Sequence, residues 1–143
     1  MKPMALAILL LSGGWLHADL KRALAEPNLE KRSALALENA AAALKSARAA
    51  YEKGDTDEVV KGIAEVLESV DLAVTSLDQS GKNPRRSEWF KKAEISTRDL
   101  GRKLQAFEDQ MDYFDRPLLD KVKGRVQQVH DDLLLEVMEG RKK

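Results

Sequence analysis

Between Leu37 and Val137 the apolar side chains recur three and four positions apart, in four runs separated by breaks that carry glycine or proline. This is the period of a helix with one buried stripe, and it conflicts with the strict alternation of a strand. Leu37, Ala40, Leu44, Ala47 and Tyr51 mark the first run, a thin seam flanked by further alanines that permits a close helix-helix approach. Val59, Ile63, Val66, Val70, Ala73 and Leu77 form the second, with Val60, Leu67 and Val74 beside it and Glu58, Lys61, Glu65, Glu68, Ser69, Thr75 and Ser76 mostly opposite. The third run is Phe90, Ala93, Thr97, Leu100, Leu104, Phe107, Met111 and Phe114, and the fourth is Leu119, Val122, Val126, Val129, Leu133 and Val137.

The breaks supply boundaries. Pro27 suits a first helical turn, Gly54 suits a left-handed stop, and Asp55 with Glu58 three residues on makes a variant capping box. Ser80-Gly81-Lys82-Asn83-Pro84 ends the second helix, Pro117 restarts the chain after Phe114, and Gly140 closes the last helix. The expected helices are therefore about 27-53, 56-79, 85-114 and 116-139, the third starting near Arg85 or after Ser87. Their short connections favour antiparallel neighbours in an up-down-up-down four-helix bundle.

The N-terminus reads differently. Lys2 precedes the apolar run Met4 to Leu11, Ser12-Gly13-Gly14 interrupts it, and Leu16-His17-Ala18 follows. This order is that of a secretory signal peptide over residues 1-18, cut before Asp19, which leaves residues 19-143 as the folded unit. The run is too short to span a bilayer, which takes about 20 apolar residues, so no membrane span is expected after signal removal. Export to the periplasm or the extracellular space follows. With no cysteine in the chain, disulfides, thiolate catalysis, lipid anchoring at a cysteine and covalent haem attachment drop out.

Composition agrees with a helical core. Aromatics make up only 5% of the chain, so the core must pack through aliphatic side chains. The 24 basic and 24 acidic residues cancel, so no overall charge draws the chain to nucleic acid, and none is expected as a partner.

Ala47-x-x-Ala50-Tyr51-x-x-Gly54-Asp55, with the amphipathic helix from Glu58 to Leu77, is similar to the helix-turn-helix of a tetratricopeptide repeat. The resemblance covers this one hairpin, without a second copy at a period of roughly 34 residues. It implies a protein-interaction module.

For chemistry, His130 is the one histidine beyond the signal segment and lies on the edge of the fourth seam. A haem or metal ligand in a bundle is one reading of it. The exported cytochrome type of four-helix bundle pairs such a histidine with a methionine early in its first helix, and none stands there. A di-iron bundle needs Glu-x-x-His, and Gln127 occupies that glutamate position. No nucleophile elbow or phosphate-binding glycine loop occurs, and Glu94 with Arg98 reads as an ordinary surface pair. Neither enzymatic activity nor a cofactor or metal is expected. Lys82, Arg85, Arg86, Trp89, Lys91 and Lys92 stand apart, because they gather basic and aromatic residues about a helix start, where the dipole prefers acidic groups. They are the candidate binding residues for an anionic partner, such as an acidic protein face, a phospholipid surface or a polymer. The expectation is a protein-binding or scaffold module of the bacterial envelope.

Overall fold

The computed structural model describes residues 14-140 and is all-helical, with no strand among the described residues. Five α-helices appear: α1 (Gly14–Ala25), α2 (Leu29–Glu52), α3 (Thr56–Ser80), α4 (Glu88–Gln110) and α5 (Asp120–Glu139), with a 3-10 segment, Tyr113–Leu119, before the last. One more helix is present than the sequence pattern indicates. α1 covers the expected cleavage bond after Ala18, and beyond that bond it buries Leu20 and Ala23. The apolar run at residues 4-11 lies outside the described residues.

Local chemistry accounts for the ends. Asn28 caps α2, its Oδ1 accepting from the Lys31 N–H at 2.9 Å, so Pro27 lies just before the helix and not in its first turn. Gly54, at φ 74°, turns the chain beyond α2, and Asp55 caps α3 through the Glu58 N–H at 3.3 Å. Ser87 caps α4 through the Trp89 N–H at 3.2 Å, so of the two expected starts the helix takes the one after Ser87, and Arg85 and Arg86 lie in the preceding loop.

The third helix was expected to reach Phe114, but it stops at Gln110. Phe114 is 90% exposed and no part of the core. Pro117 cannot continue a helix from residues 113-116, because its ring meets the carbonyl four positions back and restricts the residue before it. A clasp also fixes the chain upstream of the proline. The Asp112 N–H donates to Tyr51 Oη, which in turn donates to Asp115 Oδ2, both at 2.9 Å. Pro117 therefore falls inside the 3-10 segment, and α5 begins at Asp120 rather than near 116.

The α2–α3 pair is the most intimate contact of the molecule, and alanine and glycine are the reason. A Cβ placed on Gly62 would lie 2.8 Å from the Ala47 Cβ and 3.3 Å from the Ala43 carbonyl oxygen. At that separation α3 turns a wider face inward than its apolar row alone. Glu65, Ser69 and Ser76, expected mostly on the far side, are buried, whereas Val60 is exposed. Asn39 Nδ2 donates to Ser69 Oγ at 2.9 Å inside this seam.

The neighbours also differ from an order in which each helix packs on the next. α2 packs on α3, α3 on α5, α5 on α4 and α4 on α2, so that α3 and α4 scarcely touch. Ser87 donates to Glu30 at 2.6 Å near the starts of α4 and α2, and Arg48 to Gln110 at 2.6 Å near their ends, so these two helices run in the same direction. The loop 81-87 permits this crossing, since seven residues can reach roughly 23 Å. Phe90, Leu104, Phe107, Leu44, Leu77, Val66, Val70, Leu119 and Val126 fill the middle.

Candidate functional site

Of the six candidate binding residues, the structure brings two together. The Lys92 ammonium lies 4.6 Å from the centre of the half-buried Trp89 ring, within the range of a cation–π contact. Both side chains turn toward α2. Arg85 lies on another side, where its Cδ approaches Gly140 at the end of α5. Lys82, Arg86 and Lys91 are exposed, and no ion pair joins any of the six to another described residue. Asn83 stiffens the loop between them, accepting the Arg85 N–H on Oδ1 and the Arg86 and Ser87 N–H groups on its carbonyl.

Trp89 heads a longer feature that the sequence pattern did not reveal. Three clefts adjoin along α2: one toward α1, one toward α4 and one near the end of α2. The first two share Ala34, Glu38 and Trp89, and the second and third share Ala41 and Lys103, so they form one groove. Its floor is the small-residue face of α2, with Ala34, Leu35, Ala41 and Ala42 accessible, and Ile95 rises exposed on one wall. Arg22, Lys31, Lys45, Arg48, Lys92 and Lys103 stand around it against Glu26, Glu38, Glu52 and Asp99. The cations outnumber the carboxylates. The alanines that permit close packing on one side of α2 recur on its other side, where no helix covers them.

His130 lies partly buried at the edge of the α5 seam, as its spacing indicates, and faces α4. Its Nε2 lies 3.1 Å from Glu94 Oε1, its Nδ1 lies 3.5 Å from Asp131 Oδ1, and Arg98 approaches the other Glu94 oxygen at 3.4 Å. The Glu94–Arg98 pair exists as expected, but Glu94 is buried against α5 instead of lying on the surface. Its spacing carried that signal, since Glu94 follows Phe90 by four and precedes Thr97 by three, which puts it beside the seam. Among the described residues no group of three or more His, Cys, Asp or Glu is placed to hold a metal ion.

A third region lies at the opposite end, where Tyr51, Asp55, Asp112 and Asp115 border a cleft with Val59 and Leu118. The Asp112 N–H acts to lower the Tyr51 pKa, but desolvation, the Asp115 hydrogen bond and the charges on Asp112 and Asp115 outweigh it and raise the phenol above its usual 10.0. With its proton held, Tyr51 works as a clasp between α2 and the segment after α4.

Comparison with protein-family models, curated proteins and solved structures finds no match to this chain.

Proposed function

We propose that this chain is an exported binding module, a four-helix bundle of α2 to α5 buttressed by α1, that holds an acidic amphipathic helix of an envelope protein. The observation that carries this reading is the groove along α2. It is long, floored by small apolar side chains, headed by an accessible tryptophan and rimmed by a surplus of cations. Helix-in-groove recognition uses apolar anchors at three-four spacing, and a net positive rim selects acidic flanks. The α2–α3 hairpin that resembles a tetratricopeptide repeat is consistent with an interaction role.

Export rests on the order of charge, apolar run and small residues in 1-18. Removal of that segment would begin the chain at Asp19 and keep Leu20 and Ala23, the buried residues of α1. Expressed with its own N-terminus in a Gram-negative host, the protein is expected outside the cytoplasm and beginning at or near Asp19. Intact Met1 on soluble cytoplasmic protein refutes export.

The groove is tested with a photo-crosslinking residue at Ala41 and, as control, at the exposed Lys61 on α3. Exposure in an envelope fraction should capture from position 41 a segment of net negative charge with three-four apolar spacing. Equal capture from position 61, or capture of basic or unpatterned segments alone, refutes the reading. A second reading, adhesion to an anionic polymer or lipid surface, draws on the exposure of Lys82, Arg85, Arg86 and Lys91. It predicts retention on an anionic matrix that fails as salt rises past roughly 0.2 M.

A further inference from the structure

We infer that the cleft between α4 and α5 is a site for a small ligand bearing two or more negative charges on oxyanion groups. The cleft is about 340 Å³ and is lined by Thr97, Arg98, Gly101, Arg102, Gln105, Lys123, Val126, Gln127 and His130. Three cations, two amides and an imidazole line it; Glu94, Glu108, Asp109 and Asp131 each bond one of the lining side chains, so Arg102 is the one cation there with no ion pair to a described residue.

The carboxylates nearby stand behind the wall and orient it. Glu94 bonds His130 and Arg98, and Glu108 holds Lys123 at 2.6 Å while Gln105 Oε1 accepts from the same ammonium at 3.0 Å. These contacts fix two of the three cations without placing a negative charge in the cleft. Arg102 is exposed, with no ion pair to a described residue, and its planar guanidinium suits two oxygens of one phosphate or carboxylate group. Gln127 donates its amide to Asp131 at 2.8 Å, and the same carboxylate lies 3.5 Å from His130 Nδ1.

Gly101 sets the width of the cleft, and packing does not require a glycine there. A Cβ at Gly101 would meet only Val126 Cγ1, at 3.9 Å, an ordinary contact, whereas the Cβ missing at Gly62 makes room for α2. The space above Gly101 belongs to the cleft, and any side chain there would narrow it. Spacing agrees on both helices, since Arg98, Arg102 and Gln105 lie at intervals of four and three on α4 and Lys123, Gln127 and His130 at four and three on α5.

The site lies on a different pair of helices from the α2 groove, so either can fail alone. The whole protein is titrated by calorimetry at a constant ionic strength of about 0.15 M, separately with inorganic pyrophosphate and with citrate. Saturable one-to-one binding of either probe, weakened at least tenfold by Arg102→Gln and by Gly101→Leu but unchanged by Lys61→Gln, is the expected result. Pyrophosphate alone would define a phosphoryl ligand and citrate alone a polycarboxylate. Gly101→Ala repeats the filling test with the smallest side chain should the leucine disturb the fold. The inference is overturned if neither probe saturates, if Lys61→Gln weakens binding as much as Arg102→Gln, or if filled variants with wild-type circular dichroism bind unchanged.

Discussion

Gly62 and Gly124 both lie inside α-helices, yet replacing each by alanine should move stability in opposite directions. Alanine is better than glycine in a helix interior by about 0.8–1.0 kcal/mol, and that gain is available at both sites. At Gly124 nothing lies within 4 Å of the new Cβ, so Gly124→Ala should keep the gain. At Gly62 the methyl would arrive 2.8 Å from Ala47 Cβ and 3.3 Å from Ala43 O and Ala47 Cα. Backbone and Cβ atoms cannot rotate aside, so α2 and α3 must separate along the seam that holds Asn39 and Ser69. Overpacking of this kind costs about 1–3 kcal/mol, which meets or exceeds the propensity gain.

Gly62→Ala should therefore be about 1–3 kcal/mol less stable than Gly124→Ala, measured as the difference in urea midpoint at equal slope by circular dichroism. Ala47→Gly removes the closest opposing atom. In the Gly62→Ala background it should cost less than it does in the wild type, a coupling of about 0.5–3 kcal/mol for groups in contact. A Gly62→Ala protein as stable as Gly124→Ala, with no coupling to position 47, would mean that α2 and α3 do not approach as described.

Leu104 is fully buried in the C-terminal half of α4, and Leu104→Ala should cost about 2–5 kcal/mol by denaturation, with a loss below about 0.5 kcal/mol contradicting its place in the core. Ser69→Ala strands the Asn39 amide in the α2–α3 seam and should cost about 1–3 kcal/mol, whereas Asn39→Leu combined with Ser69→Ala should recover much of it; equal losses from the single and double variants would deny the hydrogen bond a role. Because the Tyr51 pKa is raised on folding, its contribution is complete below the unfolded value near 10 and is lost as pH rises through the folded one. Tyr51→Phe should remove that alkaline loss from the stability profile, and an unchanged profile above pH 10 would place the loss elsewhere.

The helical period located the cores of α2, α3, α4 and α5, because a buried stripe must repeat with the helix whatever it packs against. Leu104 and Phe107 are buried as their central places in the third run require. What the period cannot carry is the width of a buried face, which a partner sets. Ser69 and Ser76 read as polar and outward until α2 comes close enough to cover them, and Glu94 read as a surface residue until His130 faced it. Phe114 fitted the spacing of α4 as well as Phe107 does, but Tyr51 and Pro117 act on the backbone there and turn the chain out of the helix. α1 was missed for another reason. Once residues 1-18 are read as a leader, Leu20 and Ala23 are too few to mark a helix, although α2 gives them a surface to bury against. The groove along α2 and the α4–α5 cleft share this character, since each is made by two or three helices and neither exists on any one of them.

Charge shows the same division between what one helix specifies and what its neighbours specify. α4 ends with Glu108 and Asp109 and has no basic residue in its last turn, the reverse of what the helix dipole favours. Its start departs less than the sequence suggested, because Ser87 and Glu88 open the helix and leave Arg85 and Arg86 in the loop. The acidic end is answered from α5, where Lys123 meets Glu108 at 2.6 Å, while two residues on Arg125 meets Asp71 of α3 at 2.8 Å. At 3.6 residues per turn, positions two apart point about 160° from each other around the axis. Lys123 and Arg125 can both find partners only if α4 lies on one side of α5 and α3 on the other. Surface and partly covered pairs of this kind are each worth about 1 kcal/mol, too little to hold the molecule together, but enough to disfavour an order that breaks both. That condition separates α3 from α4, and the loop 81-87 crosses between them because α5 occupies the place that the next helix in sequence would otherwise take.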